Sequence, residues 1–265
     1  MARIVALANQ KGGVGKTTTA INLGSSLATC ERKVLIVDLD PQANATSGLG
    51  LSKDGREGSI YDVLIEHLPI HQIIRESELP GLFVARSSTD LVAAELDLAD
   101  EEGREFRLAE SLDMARADFD YILIDSPPSL GLLTVNGLTA ADSILVPIQC
   151  EYFALEGVSQ LLNTIDRVRA SLNPSLEIEG IVLTMTDERV NLSRQVSQEI
   201  RRYFAGKVYD TVIPRNVRLA EAPSFGKPVL LYDIRSRGSE AYVKLAQEFI
   251  RRAEGLQIES PAVGQ

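Results

Sequence analysis

Short apolar runs rich in Val, Ile and Leu alternate with stretches of helical periodicity along the whole 265-residue chain. Runs of this kind belong to strands covered on both faces. Their alternation with amphipathic helices predicts an α/β fold, a mainly parallel twisted sheet with helices on both sides. Strands are expected at residues 3–8, 34–37, 82–85, 121–124, 143–146 (closed by Pro147), 178–185 and 212–216. Helices are expected at 17–28, 91–117, 155–172, 192–204 and 242–253. Residues 43–59, rich in Gly, Ser and Asn, read as a loop free to move. No internal repeat and no Pro/Gly/Ser linker divides the chain, so one domain is expected over residues 1–254, followed by a loose tail at 255–265.

The candidate chemistry is concentrated where the first strand gives way to the first helix. Lys11, Gly12, Gly13, Val14, Gly15, Lys16, Thr17 and Thr18 follow the apolar run Ile4 to Ala8. Three glycines in a short span let backbone N–H groups close around phosphate oxygens at a helix N-terminus, where the dipole favours an anion. Lys16 would reach the β- and γ-phosphates and the Thr17 hydroxyl would sit on Mg²⁺. The chain therefore reads as a single-domain P-loop NTPase. Two later strands end in carboxylates, 34–37 at Asp38-Leu39-Asp40 and 121–124 at Asp125. Open α/β sheets bind ligands at that end, and an aspartate closing an apolar strand is the form of a Walker B metal carboxylate.

Composition adds limits. A 45% hydrophobic content suffices for a sizeable core. No apolar run approaches the ~20 residues that span a bilayer, and the N-terminus lacks the order of a signal peptide, which predicts a cytoplasmic protein without membrane attachment. Cys30 and Cys150 are far apart and the chain has two histidines, so free thiols are expected in place of a zinc or disulfide framework. The net charge of −10 argues against nucleic acid, but its distribution does not. Residues 54–120 hold 17 acidic and 6 basic side chains, whereas residues 189–252 hold 13 basic and 6 acidic.

The loop departs from the ordinary G-x-x-x-x-G-K-[ST] pattern, with Gln10 in place of the first glycine and a second lysine, Lys11, next to it. K-G-G-V-G-K-T-T resembles the deviant Walker A loop of the ParA/MinD class of ATPases. Residues 9–18 (N-Q-K-G-G-V-G-K-T-T), 38–42 (D-L-D-P-Q), 213–219 (I-P-R-N-V-R-L) and 228–238 (P-V-L-L-Y-D-I-R-S-R-G) together resemble chromosomal ParA/Soj partition ATPases, with the likeness running to about residue 253. The resemblance implies an ATP- and Mg²⁺-dependent sandwich homodimer that binds double-stranded DNA non-specifically on the nucleoid. A ParB-type partner would stimulate slow hydrolysis and so release it.

By position, Lys11 would be the signature lysine reaching the partner's phosphates and Lys16 the P-loop lysine. Asp40 would orient the attacking water and Asp125 would be the Walker B carboxylate, with Asp38 supporting the same region. Thr17, Asp40 and Asp125 are the candidate metal group, and Met185, Pro214 and Asn216 would line the adenine pocket. Arg189 and Arg218 match DNA-contact positions, with Lys207 and Lys227 as neighbours. Three other classes use the same loop. A MinD-like membrane ATPase would end in a basic amphipathic helix; residues 241–250 do carry an apolar stripe, but interspersed glutamates favour a docked core helix. Amidase-like ligases or iron–sulfur scaffold ATPases would need an acceptor pocket or a CxxC pair. Partition proteins with an N-terminal helix-turn-helix would need residues ahead of the first strand, which here begins at Arg3.

Overall fold

The computed structural model describes residues 1–54, 56–151, 154–187 and 189–255. Its strands are β1 (Arg3–Leu7), β2 (Val34–Asp38), β3 (Ile74–Glu76), β4 (Leu82–Ala85), β5 (Tyr121–Asp125), β6 (Ser143–Gln149) and β7 (Glu177–Thr184). They form one sheet in the order β3-β4-β2-β5-β1-β6-β7, parallel except for the short edge strand β3. The expected α/β architecture is present. Only Gly255 of the expected tail lies within the described residues.

Alternate strand residues feed two cores. Ile4, Ala6, Leu35, Val37, Ile122 and Ile124 face one layer. That layer holds α3 (Ile60–Ile65), α4 (Ala94–Asp97), α5 (Arg107–Ala115), α6 (Leu132–Ala140), α7 (Ala154–Ser171) and α8 (Asn191–Tyr203), the helices numbered in chain order after α1 (Lys16–Thr29) and α2 (Asn44–Gly48). Val5, Leu7, Ile36 and Leu123 face the other layer, which contains α1 and α2 with α9 (Val217–Glu221), α10 (Val229–Tyr232) and α11 (Arg237–Ala253). The apolar stripe of α11 is spent inside the protein. Ala241, Tyr242, Leu245, Ala246 and Phe249 are buried, and Phe249 meets Tyr121 edge-to-face with centroids 5.3 Å apart. Burying each of the larger side chains is worth about 1.5–3 kcal/mol. No helix among the described residues is long and apolar enough to cross a membrane.

Four local expectations need correction. The helix expected over 91–117 is broken into α4 and α5 with one 3-10 turn, Arg104–Phe106, between them, because Gly103 takes φ 69 behind a run of like charges at Asp100, Glu101 and Glu102. Pro147 does not close β6. The strand runs on to Gln149, since β1 ends before it and the carbonyl of Pro147 receives Asn9 Nδ2 at 2.8 Å, so the side of the strand where its N–H is missing faces no ladder. Residues 212–216 are not a strand: Tyr209 and Ile213 still donate to β7, but the intervening N–H groups of Asp210 and Thr211 turn to Glu248 at 2.8 and 2.9 Å. Finally, α2 occupies the start of the expected 43–59 loop, and residues 60–81, where no element is expected, contain α3 and β3.

Candidate nucleotide site and basic face

Parallel register brings the chemistry together. Leu7 at the end of β1 is paired with Asp125, and Asp125 is paired with Asp38 on β2. Three adjacent strand ends thus deliver the glycine loop and two carboxylates to one place. Within the loop Gly13 and Gly15 hold φ 73 and 91, a region that strains any residue with a Cβ. Val14 is buried and its carbonyl accepts from Thr184 Oγ1 at 2.8 Å. The α1 helix starts with no acidic residue in its first turn and no side-chain cap, which leaves its positive end to an anion.

The charged groups beneath the loop are unbalanced. Lys16 is buried and donates from Nζ to the carbonyls of Asn9 at 2.9 Å and Lys11 at 3.3 Å. Burial lowers its pKa, against the opposing pull of Asp125 and Asp40. Asp125 is fully buried, and neither carboxylate oxygen has a hydrogen-bond partner among the described residues. Burial pushes its carboxyl well above the ordinary range, the nearby Asp38 charge adds to that, and the Thr17 hydroxyl and Lys16 work against it. An unpartnered buried carboxylate is costly, and a hard cation with oxygen ligands relieves that cost. The residues present therefore fit Mg²⁺, with Asp125 and Thr17 to hold it.

Asp38 has a different duty. Its Oδ2 accepts from both the backbone N and the hydroxyl of Thr46 at 2.7 Å, tying α2 to β2, and Oδ1 accepts from Asp40 N at 3.3 Å. Burial raises its carboxyl to about 6, against those hydrogen bonds. Asp40 is buried beside it; its Oδ1 accepts from Gln42 N at 2.9 Å and its carbonyl from Ser87 Oγ at 2.8 Å. Lys11 points elsewhere. Its Nζ lies 2.7 Å from Glu151 Oε2, and Gln149 donates to the other oxygen of the same carboxylate.

Behind the loop lies a cavity of about 350 Å³ whose wall includes Gly15, Thr18, Met185, Pro214, Asn216 and Tyr242. All three residues expected around a base are therefore together, next to two loop residues. Met185 holds φ 50, and the side chain of Asn216 caps α9 by accepting from Arg218 N at 2.9 Å. Sequence reasoning missed Thr46, Ser87, Glu151 and Tyr242. The one local signal available was Asn9, two residues before Lys11, whose Oδ1 accepts from Lys11 N at 3.0 Å as an Asx turn would.

Each of the four cations expected on the DNA face has a partner within the chain. Arg189 is paired with Asp187 at 2.8 Å, and Arg218 with Glu221 at 2.8 Å and Asp233 at 3.3 Å. Lys227 is paired with Glu78 at 3.0 Å. Lys207 donates to the carbonyl of Ile178, near the first residues of β7 and so at the opposite end of the strand from the glycine loop.

A parallel sheet with a two-lysine glycine loop over paired strand-end aspartates defines a P-loop ATPase of the deviant Walker A class. The AAA-domain family model matches residues 2–178. The chain belongs to the ParA/Soj family of chromosome-partitioning ATPases. It is 55% identical to the chromosome partitioning protein ParA of Myxococcus xanthus over 250 residues, 94% of this chain and 88% of that one. It is 54% identical to the sporulation initiation inhibitor protein Soj of Bacillus subtilis over 248 residues, 94% and 98% of the two chains. Among solved structures, cobyrinic acid a,c-diamide synthase from Mycobacterium smegmatis, with an ATP analogue and magnesium bound, superimposes with a TM-score of 0.85 at 36% identity, covering 97% of this chain and 98% of that one.

Proposed function

We propose that the chain is a nucleotide switch in DNA partitioning: bound to ATP and Mg²⁺ it closes into a homodimer that holds duplex DNA without sequence preference, and a ParB-type partner stimulates hydrolysis and release. The observation that carries the nucleotide part is the buried Asp125 carboxylate, unpartnered beneath a loop with two lysines. Bound Mg²⁺ would neutralise charge developing on the β- and γ-phosphate oxygens.

The rest belongs to the chain's own groups. Lys16 exchanges the carbonyls of Asn9 and Lys11 for phosphate oxygens. Asp125 and Thr17 hold the metal, with Asp40 completing the group and orienting water toward the γ-phosphate. A carboxylate positions water better than it deprotonates it, so intrinsic turnover is slow and suits a timing device. Lys11, released from Glu151, supplies charge to the partner's phosphates as an arginine finger does, which links assembly to hydrolysis. Arg189 and Arg218 bind backbone phosphates, and the DNA-bound form resides on the nucleoid. The functional domain spans residues 1–254. Identities of 54–55% to partitioning proteins, against 36% to the diamide synthase, favour this reading over ATP-dependent amidation.

The test is binding of the Asp40→Ala variant to random-sequence duplex DNA with Mg-ATP or Mg-ADP over a series of salt concentrations. Binding that requires ATP and falls steeply with salt supports the switch. A variant that dimerises in ATP but ignores DNA at low salt sinks the partition reading.

A further inference from the structure

Asp40 stands two residues beyond the end of β2, and the sheet ladder stops just before it, where Leu39 N donates to Asp125 O at 3.0 Å. The chain then turns sharply, with Ala43 at φ 51 although it carries a Cβ. Such a turn persists only where its surroundings fix it. The bonds inside the turn are local. The Asp40 carbonyl accepts from Ala43 N at 2.8 Å, its Oδ1 accepts from Gln42 N at 2.9 Å, and its N–H makes a long 3.3 Å contact to Asp38 Oδ1. Bonds to residues 42 and 43 move with the turn and do not set where it sits.

Two buried hydroxyls anchor it to the sheet. Ser87 lies two residues after β4, the strand beside β2, and its Oγ donates to the Asp40 carbonyl at 2.8 Å. The N–H of Ser87 donates to Thr46 Oγ1 at 3.0 Å, and that hydroxyl donates to Asp38 Oδ2 at 2.7 Å. Thr46 belongs to α2, so the far side of the turn is tied to both β2 and the exit of β4 through one side chain. Ser87 and Thr46 are 1% and 0% exposed, so water does not compete for these bonds. The exit of β4 is itself secured, because buried Arg86 donates to the carbonyls of Glu57 and Gly58 at 2.9 and 3.1 Å. Asp40 Oδ2 makes no hydrogen bond among the described residues, which leaves that oxygen for water.

We infer that Ser87 and Thr46 are positioning residues for ATP hydrolysis: they hold the backbone of Asp40 and the turn after it, and so set where the Asp40 carboxylate stands relative to the γ-phosphate. The inference rests on the role of Asp40 proposed above. A displacement of about 1 Å at a catalytic group costs up to ~100-fold in rate and need not alter substrate affinity.

The experiment is single-turnover hydrolysis of Mg-ATP by the full chain, beside titration with a fluorescent non-hydrolysable ATP analogue. Ser87→Ala should slow hydrolysis about tenfold or more while analogue affinity stays within about twofold of wild type. The Asp40 carbonyl keeps the Ala43 N–H in that variant, so no buried polar group is orphaned and the melting temperature should stay close to wild type. Thr46→Val keeps the shape and loses the hydroxyl, and should slow hydrolysis in the same way. Thr46→Ser keeps the hydroxyl and should retain the wild-type rate. Where Thr46→Val fails to fold, Ser87→Ala decides. Added to Asp40→Ala, Ser87→Ala should cost nothing further, because it acts through that carboxylate. With Asp40→Ala slow, a wild-type rate in Ser87→Ala, or a loss of analogue affinity equal to its loss of rate, overturns the inference alone. If Asp40→Ala hydrolyses ATP at the wild-type rate, the reading of Asp40 fails and takes the inference with it.

Discussion

Lys11 Nζ sits 2.7 Å from Glu151 Oε2 of its own chain, a contact between residues 140 positions apart. The lysine expected to act across a dimer is thus held in cis, by a glutamate that follows β6. Both side chains are partly exposed, 37% and 47%, so the pair contributes no more than about 1 kcal/mol. Glu151→Gln should therefore leave thermal stability nearly unchanged and tighten ATP-dependent dimerisation by up to about fivefold, since 1.4 kcal/mol is a factor of ten. Sedimentation in Mg-ATP measures it. A dimer constant identical to wild type would show that the ion pair does not restrain Lys11.

Lys16→Ala removes a buried cation under the loop, and with it the partner of two loop carbonyls. Nucleotide affinity should fall by at least a hundredfold in titrations with a fluorescent ATP analogue. Wild-type affinity in this variant would refute the assignment of the loop.

Gly12 differs from Gly13 and Gly15 in having no positive φ, and a Cβ there would meet only Pro128 Cβ at 3.7 Å, an ordinary contact. Gly12→Val should accordingly fold and bind ATP as a monomer while failing to close the dimer, where two loops face each other. An ATP-dependent dimer of normal strength would contradict this geometry of closure.

Asp38 is held at about 6, above the ~3.9 of an unfolded aspartate, and Asp125 is raised as well. A carboxyl with a higher pKa folded than unfolded binds more protons in the native state between those values. Its destabilising effect is therefore full only well above pH 6, begins to fade as pH falls through 6 and is gone below about 4. The nucleotide-free chain should melt at a higher temperature at pH 6 than at pH 7.5, and Asp38→Asn should flatten that dependence. Mg-ATP should oppose it, because metal binding requires Asp125 ionised and protons compete for the same oxygens. A melting temperature that drops on acidification from 7.5 to 6 in the nucleotide-free chain would count against buried Asp38 as the controlling group.

The family resemblance alone implied the grouping of residues 185, 214 and 216, whereas the sequence by itself determined the loop, the two strand-end aspartates and the parallel core strands. These depend on contiguous residues: a glycine at positive φ, an apolar run buried on both faces, a carboxylate at a strand end. Strand pairing then turns such local pieces into a site, as Asp38 and Asp125 become register partners across β2 and β5. Tertiary structure alone decided where side chains find distant partners. Glu248 captures the N–H groups of Asp210 and Thr211 and breaks an expected strand. Thr46 and Ser87 fasten the aspartate loop. Ion pairs occupy Arg189, Arg218 and Lys227, whereas Arg215, Arg237 and Lys244 have no side-chain partner among the described residues. The physical reason is that a charge is read from its own residue, but its availability is set by whatever the fold brings within hydrogen-bonding distance.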